Sequence, residues 1–226
     1  MISKRLIQAK EKIENGKLYK ISEAIELVKE TSKVKFDASV EVHVKLNIDP
    51  KKSDQIIRGS VILPNGTGKK IRVVAFVLED QIDQAKKFGA DIAGSDDLIN
   101  KIKKTNKTDF DIAVTTPDMM KNLSVIARIL GQKGLMPNIK TGTISSNLEK
   151  MIGELKKGKI TYKNDDTANI HVIIGKVSFE SKLLVENFNI FIEALKKTKP
   201  GTLKGSFIKN ITITSSMGPG IKIEFN

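Results

Sequence analysis

The spacing of apolar residues changes twice along this chain of 226 residues, and the change restricts the folds that it can adopt. Over residues 39–48 apolar and polar side chains alternate, which predicts a strand with one buried and one solvent-facing side. Over residues 71–115 short apolar runs alternate with helical patterns, which is typical of a parallel sheet covered on both faces. After residue 158 the first pattern returns, with a strand, a helix and two terminal strands.

We therefore predict an α+β domain with an antiparallel sheet, interrupted by an inserted α/β domain. The predicted boundaries are residues 1–66 plus 159–226 for the discontinuous domain and residues 67–158 for the insertion. Gly66, Gly68 and Gly158 lie at the two crossings and give them the backbone freedom of a hinge. Glycine is also common at domain boundaries, so the sequence leaves an opening motion as one of two alternatives.

Two helix ends are visible within the inserted part. Thr116 followed by Pro117 resembles an N-cap with proline at the first helical position, and predicts a helix that continues to Leu130. Residues 131–134 match the G-x-x-G loop that clamps nucleotides in one RNA-binding module. Because this loop follows a helix, the sequence favours a C-cap turn over a nucleotide clamp.

The charge of the chain points to an acidic partner. A net charge of +13 is spread along the whole sequence, and no segment has the paired basic and apolar faces of a membrane-lying helix, so nucleic acid is favoured over a membrane. No apolar run is long enough to cross a bilayer and no secretory signal is visible. The absence of cysteine is compatible with a reducing cytoplasm. Only four basic residues are arginine, which either favours recognition of shape and backbone or reflects an A+T-rich genome.

The chain lacks most of the residues that catalytic chemistry needs. The chain has no cysteine, and its two histidines, His43 and His171, lie far apart within strand patterns. Residues 66–69 match a phosphate-binding loop only in part, because the first glycine and the final hydroxyl of that motif are missing. We predict a non-enzyme that uses no metal or other cofactor.

A turn near the end of the chain is the first candidate site for nucleic acid. Residues 215–220 lie between two strand-like runs, and two glycines and a proline force a turn there. The turn offers backbone N–H groups, two hydroxyls and Met217 to a sugar-phosphate surface. Many turns of this composition only reverse the chain, and that alternative stays open from the turn chemistry alone.

A second candidate site lies at the start of the alternating strand. Phe36, next to Lys35, is placed to stack on a base or ribose, although phenylalanine more often belongs to a core. Ser39 and Glu41 would lie beside it on the solvent side, and Thr214 would face outward from a neighbouring strand. A polar strand surface of this kind suits ribose hydroxyls. The loop that contains Lys204 and Ser206 adds positive charge and flexible backbone, or is simply a helix-to-strand connection.

Four blocks of the sequence resemble one protein family closely: residues 35–69, 128–143, 175–179 and 215–220. The resemblance is to the bacterial large-subunit ribosomal protein L-one family, and it runs essentially from end to end. It implies a two-domain fold with a Rossmann-like three-layer insertion and a protein that is monomeric when free. It also implies binding of 23S rRNA at the mobile stalk near the tRNA exit site, a part in the release of deacylated tRNA, and repression of the messenger RNA of its own operon.

The resemblance also assigns residues to the RNA surface. Phe36, Ser39 and Glu41 match the first block, and Ser216, Met217 and Gly218 match the terminal turn. The chain departs from the common family pattern at Ser216, where threonine is usual, and at residues 132–133, where Pro-Arg is common. The hydroxyl survives in the first case, whereas a role for the second loop becomes less secure.

Two other classes of function compete with this interpretation. A sequence-tolerant single-strand binder would bind unstructured RNA nearly as well as a folded junction, and would need more stacking aromatic residues than the 5% found here. A nucleotide-binding enzyme is compatible with an α/β domain, since that fold hosts many functions, but no fingerprint for ATP or NAD is present.

Overall fold

The structure is a computed structural model that describes residues 3–14 and 16–225. The chain divides into two compact units, and Met1–Gly68 together with Ile160–Asn226 form unit 1, while Lys69–Lys159 form unit 2. Strands and helices are mixed in both units, and the described residues contain three sheets. The mixed α and β character predicted from the sequence is confirmed.

The helices and strands are numbered in chain order. The helices are α1 (Lys4–Glu11), α2 (Ile21–Thr31), α3 (Ile82–Lys87), α4 (Asp96–Thr105), α5 (Met120–Leu123), α6 (Ala127–Gln132), α7 (Leu148–Lys156) and α8 (Ser181–Lys197). The strands are β1 (Ser39–Leu46), β2 (Arg58–Ile62), β3 (Val73–Phe76), β4 (Ile92–Gly94), β5 (Ile112–Thr115), β6 (Lys159–Lys163), β7 (Asn169–Lys176), β8 (Ile208–Ser215) and β9 (Ile221–Ile223).

Unit 1 is built on a four-stranded sheet with the order β7-β1-β8-β9, and all neighbouring strands of this sheet are antiparallel. Every second residue of β1 is buried, and α2 and α8 cover that side of the sheet. Burial of one such aliphatic side chain contributes about 1.5–3 kcal/mol to folding. The opposite side, which we call the solvent face, carries the side chains of Glu41, His43 and Lys45 from β1 and Thr212 and Thr214 from β8. The alternating strand predicted for residues 39–48 is confirmed over residues 39–46, where β1 ends.

A two-stranded sheet of β2 and β6 completes the strands of unit 1, and the sequence analysis did not predict it. Gly59 in β2 lies against Tyr162 in β6, and a Cβ atom at Gly59 would come within 2.5 Å of the tyrosine oxygen. Tyr162 also packs edge-on against Phe191 of α8, with ring centroids 5.6 Å apart. A side chain at position 59 would therefore displace a ring that belongs to the core.

Unit 2 contains a parallel sheet with the order β4-β3-β5. All four residues of β3 are buried, because alternate side chains enter two different hydrophobic clusters. Val73 and Ala75 pack with α3 and α7, whereas Val74 and Phe76 pack with α4, α6 and the segment before α6. This two-sided burial explains why the sequence of β3 reads as a continuous apolar run.

The predicted helix from Pro117 to Leu130 is wrong as a continuous element. The segment consists of a 3₁₀ turn, α5, a second 3₁₀ turn at Ser124–Ile126, and α6. The Ser124 hydroxyl donates to the carbonyl of Lys121 at 2.6 Å, and such a local bond competes with regular helix geometry. Thr116 also makes no side-chain cap bond, and its hydroxyl is buried without a partner.

The C-cap interpretation of residues 131–134 is confirmed. Gly134 has φ of +68°, and the Leu135 N–H donates to the carbonyl of Leu130 at 2.8 Å after α6 ends. That bond and the left-handed glycine are typical of a Schellman cap. The loop is therefore explained by the end of the helix.

Candidate nucleic-acid interface

The Met217 turn, residues 216–220, connects β8 to β9 and has a tightly constrained backbone. Met217 has φ of +65°, a left-handed conformation that few residues other than glycine adopt, and its side chain is 71% exposed. The Gly218 N–H donates to the carbonyl of Ser215 at 2.7 Å. A Cβ atom at Gly218 would lie 2.3 Å from the Ser215 hydroxyl, so this position requires glycine. The turn presents an apolar side chain to solvent on a strained backbone, a combination that occurs often at functional sites.

Polar groups of β1 and β8 hold the Met217 turn in place. The Ser216 N–H donates to the carbonyl of Ser39 at 2.9 Å, and the Ser216 hydroxyl donates to Oε1 of Glu41 at 2.8 Å. The Thr214 hydroxyl lies 3.2 Å from the Gly218 carbonyl and 3.0 Å from the Pro219 carbonyl. Ser39, Glu41 and Thr214, all predicted as site residues, therefore brace the turn from the end of the sheet.

Arg5 connects the turn to a second segment, and the sequence analysis missed this role. Its guanidinium donates to the carbonyl of Met217 at 3.1 Å through Nη2 and to the carbonyl of Lys33 at 3.4 Å through Nη1. Lys33 belongs to the segment that precedes β1. One side chain near the start of the chain thus contacts both candidate RNA segments, and nothing in the local sequence around Arg5 indicates this.

The Phe36 loop, residues 32–38, presents an exposed aromatic side chain. Phe36 is 56% exposed, so it does not belong to the core, and Lys35 beside it is also exposed. The Asp37 carboxylate accepts hydrogen bonds from the Ser178 N–H at 3.2 Å and from its hydroxyl at 2.8 Å. Lys176 donates to the Asp37 carbonyl at 3.3 Å and to the Ser39 hydroxyl at 2.9 Å. Contacts with the last residue of β7 and with the segment that follows it therefore fix this loop.

Lys176 and Ser178 were not predicted as site residues, although a signal for them exists. They lie in residues 175–179, one of the four blocks that carry the family resemblance, and here the block acts as a clamp on the Phe36 loop. Gly175 in the same block is closely packed, since a Cβ atom there would lie 2.6 Å from Leu184. Residues 175–179 therefore support the candidate site through their hydrogen bonds to the Phe36 loop.

Two predicted site residues lie at the other end of the sheet. Val40 pairs with Ser215 near the Met217 turn, whereas Leu46 pairs with Ile208, which follows the loop of Lys204 and Ser206. The length of β1 separates these ends by about 23 Å at 3.3 Å per residue. Lys204 is exposed, and the Ser206 hydroxyl donates to the carbonyl of Ile208 at 2.8 Å. The structure brings the other eight predicted RNA residues to one end of β1 and leaves these two apart.

The three glycines predicted as hinge positions have left-handed backbones. Their φ angles are +62° at Gly66, +72° at Gly68 and +98° at Gly158. The Gly66 carbonyl accepts a hydrogen bond from Asn187 at 3.0 Å, and a Cβ atom at Gly68 would lie 2.8 Å from the Lys176 side chain. Gly66 and Gly68 are therefore held by contacts within unit 1.

The histidines correct one statement of the sequence analysis, because they lie side by side instead of far apart. His43 and His171 face each other on β1 and β7, with 2.7 Å between their Nδ1 atoms. His171 also contacts Asp165, which accepts hydrogen bonds from Thr167 and Asn169. Burial alone would raise the pKa of Asp165, but these hydrogen bonds outweigh it and hold the pKa well below the ordinary value. Within residues 3–14 and 16–225, no three His, Cys, Asp or Glu side chains are grouped to bind a metal.

Comparisons with known proteins identify the kind of protein that carries this turn. Residues 28–219 match the sequence model of the Ribosomal protein L1p/L10e family. The chain is 51% identical over 224 residues to the large ribosomal subunit protein uL1 of Mycoplasma capricolum, with 99% of each chain covered. It is 51% identical to the protein of the same name from Mycoplasma mycoides over 99% of each chain. Identity to that of Mesoplasma florum is 49%, over 100% of this chain and 99% of the relative.

The chain is therefore a ribosomal protein, a structural component and not an enzyme. It belongs to the ribosomal protein L1p/L10e family, as the resemblance in four sequence blocks indicates. Among the residues that the structure describes, no helix is long and apolar enough to cross a bilayer.

Proposed function

We propose that this chain is a structural constituent of the large ribosomal subunit and that unit 1 binds 23S rRNA through the Met217 turn and the Phe36 loop. The relatives that are about half identical over their full length carry the name of a large-subunit protein. One observation supports the site above others: an exposed methionine is held on a left-handed backbone that hydrogen bonds brace from three directions. Exposure of a large apolar side chain on so rigid a support favours a partner that covers it.

In this proposal each segment has its own task. Met217 packs against ribose and base surfaces, and Phe36 stacks on an unpaired base. Lys35 and other exposed lysines attract phosphates, an attraction that weakens steeply as salt releases the counterions. Ser39, Glu41 and Thr214 keep the Met217 turn in one conformation before RNA arrives. Such preorganisation reduces the ordering cost of binding.

The test is the affinity of the chain for a stalk-junction rRNA fragment across a salt series, with a base-scrambled duplex as competitor. We expect binding to the junction to persist at salt concentrations that abolish binding to the duplex. Met217→Ala should weaken junction binding by about 1–3 kcal/mol, the size of one well-fitted nucleic-acid contact. Equal affinity for the two RNAs, lost together as salt rises, would show that the lysines only coat a polyanion.

Two variants separate a binding defect from a folding defect. Met217→Gly removes the side chain and relieves the strain of the left-handed backbone. We therefore expect a folded protein whose junction binding is weakened about as much as in Met217→Ala. Ile62→Ala trims a half-exposed apolar residue of β2 in the same unit and should leave the affinity unchanged. If Met217→Gly binds the junction as tightly as the parent, the turn does not belong to the interface.

The finer roles implied by the family are also part of the proposal. The discontinuous domain of residues 1–66 plus 159–226 would hold the stalk, and the inserted domain of residues 67–158 would move with deacylated tRNA as it leaves the exit site. Contacts within unit 1 hold Gly66 and Gly68, and the Gly158 N–H donates to the carbonyl of Leu155 at 3.1 Å where α7 ends. Gly158 is the hinge candidate at the second crossing. Gly158→Ala should strain a left-handed residue, and single-molecule distance measurements between labelled domains would detect a slowed or shifted opening.

Repression of its own messenger RNA would use the same surface. A messenger segment that folds like the rRNA junction would meet the same Met217 turn and Phe36 loop. A reporter fused to the leader of the operon should then be repressed by the parent chain and not by Met217→Gly. Equal repression by both proteins would assign regulation to another surface.

A further inference from the structure

The solvent face of unit 1 contains a contact between two imidazole rings, and these are the only two histidines in the chain. His43 and His171 occupy a registered pair of positions on β1 and β7, with ring centroids 4.9 Å apart. Their Nδ1 atoms lie 2.7 Å apart, a distance that requires one proton between them. One ring donates through Nδ1–H, and the other accepts with a bare Nδ1. We call these two residues the histidine pair.

Carboxylates lie at the outer nitrogens of both rings. Nε2 of His43 is 3.9 Å from Oε2 of Glu41, and Nε2 of His171 is 3.3 Å from Oδ2 of Asp165. The pair can therefore hold one positive charge between two negative groups while its Nδ1–Nδ1 bond stays intact. A second proton on the pair would place a hydrogen on both Nδ1 atoms and break that bond.

The other polar groups near the pair come from three strands, and two of these groups are charged. Lys45 follows on β1, and its ammonium donates to the carbonyl of Thr167 in the turn before β7. On the other side β8 offers the uncharged Thr212, and Lys222 on β9 lies opposite Thr212. Burial lowers the pKa of His43, and the proximity of His171 lowers it further, while Glu41 acts in the opposite direction. The free protein thus disfavours the charged form of His43, a side chain whose ordinary pKa lies near neutral pH.

A chain of polar contacts joins the pair to the Met217 turn. Glu41, which faces His43 through one carboxylate oxygen, accepts the Ser216 hydroxyl at 2.8 Å through the other. Ser216 is the first residue of the turn. RNA that covers the turn therefore lies within two side chains of the histidine pair, and its phosphates would favour the protonated form.

We propose that the histidine pair belongs to the RNA surface and that RNA binding is coupled to the uptake of one proton by it. The inference rests on the proposed function of the Met217 turn and extends that interface across β1 to β7. In the free protein burial and the neighbouring ring disfavour a charge on His43, whereas the bound pair carries one positive charge that faces phosphate. Linkage is reciprocal, so a lower pH must tighten RNA binding in the range where the pair titrates.

The direction of the pH effect on RNA affinity follows from the protonation midpoints of the pair in the free protein and in the complex. Above the protonation midpoint of the complex neither the free nor the RNA-bound protein holds the extra proton, and the affinity is independent of pH. As the pH falls between the two midpoints the affinity rises, and below the midpoint of the free protein it becomes constant again. A rise of about one unit in the pKa of the pair on binding gives about a tenfold gain in affinity.

Histidine NMR tests the coupling directly, since the chain gives signals from only two imidazole rings. The titration of both rings is followed in the free protein and in its complex with the stalk-junction rRNA fragment. We expect the first protonation midpoint of the pair to rise in the complex. Midpoints that stay unchanged or fall on RNA binding overturn the inference.

Binding measured at about pH 6 and about pH 8 gives the second readout. The parent should bind the junction more tightly at the lower pH, by up to about tenfold for a shift of one pKa unit. The double variant His43→Asn/His171→Asn removes both imidazole rings, keeps polar side chains, and should show no such gain. Thr212→Ala, a neighbouring change on the solvent face without a titrating group, should keep it. The double variant also corrects for protonation of the RNA itself.

The outcomes distinguish this inference from the proposed function. Tight junction binding that depends on Met217 but has the same pH profile in the parent and in the double histidine variant overturns the coupling alone. Failure of the parent to prefer the junction at either pH overturns the proposed function, and the coupling falls with it. A gain at low pH that the double histidine variant loses and Thr212→Ala keeps supports both.

Discussion

The sheet of unit 1 and the sheet of unit 2 use their two faces differently. In unit 1 one side of β1 is fully buried and the other side carries Glu41, His43 and Lys45 in contact with solvent. In unit 2 both sides of β3 are buried, because helices cover the sheet above and below. An antiparallel sheet with one open face has half of its side chains available for a ligand. A parallel sheet that is covered on both faces leaves only its loops available for a ligand.

The difference tells where function can change without damage to the fold. On β1 the polar positions are separated from the core by the alternation of the strand itself, so a site can be altered there residue by residue. On β3 each substitution alters one of two hydrophobic clusters. Candidate residues for recognition accordingly lie on the sheet and turns of unit 1.

The largest effect that tests this comparison is expected in the covered sheet. Phe76→Ala removes a fully buried ring that packs edge-on against Phe110, and should cost about 3–5 kcal/mol of the free energy of unfolding. Thr212→Ala on the solvent face of unit 1 should cost less than about 1 kcal/mol. Urea unfolding followed by circular dichroism measures both. Similar losses for the two variants would mean that the solvent face is as tightly packed as the core.

An intermediate effect is expected at a glycine of each unit. A Cβ atom at Gly218 would collide with the Ser215 hydroxyl at 2.3 Å, so Gly218→Ala should cost about 1–3 kcal/mol of stability. Ser215→Ala removes that hydroxyl, which is buried without a partner, and in the double variant it should restore part of the loss. At Gly134 a Cβ atom meets open space, so Gly134→Ala should cost only the backbone strain of φ +68°, about 1 kcal/mol.

Thermal unfolding of the four variants measures these differences. The double variant is decisive, since a collision with the hydroxyl predicts recovery and backbone strain alone does not. Gly218→Ala with parental stability would show that the Met217 turn adapts, which contradicts its description as a rigid support.

The smallest effect is expected in the dependence of stability on acidic pH. The pKa of Asp165 lies below its ordinary value of 3.8 in the folded chain, so its contribution to stability is present above about pH 4 and is lost as the pH falls further. Asp165→Asn should lower stability at neutral pH by less than about 1 kcal/mol, because the side chain is partly exposed. The variant should also lose less stability than the parent between pH 4 and pH 2. Parallel pH profiles for the two proteins would contradict this.

Much of the fold was predictable because its periodicities are strong. The alternation of residues 39–46 and the apolar run of β3 each report how many faces of a strand are buried. The pair β2 and β6 was missed because each strand has only five residues and mixes apolar with charged side chains. The break at Ser124 was missed because a single hydroxyl, which donates to the carbonyl of Lys121, decides it.

The residues of the candidate site likewise form two groups, those that local sequence indicates and those that depend on distant contacts. Turn chemistry and the family blocks indicated Met217, Gly218 and Phe36, whose placement depends on local backbone geometry. Arg5 and the contact between His43 and His171 depend on residues 212 and 128 positions apart, and no local pattern encodes such contacts. Lys204 was predicted beside the other site residues because sequence order gives proximity to a strand but not to one of its ends.

The position of β1 at the centre of the sheet has a consequence for the order in which the chain matures. β1 is made early but pairs with β7 and β8, which are made more than a hundred residues later. Unit 2 is continuous in sequence and can fold while synthesis continues, whereas unit 1 must wait for residues near 215. The guanidinium of Arg5 likewise waits for Met217. A growing chain therefore completes the candidate RNA surface only after residue 218 has been made, and a product that ends before residue 215 would lack the Met217 turn.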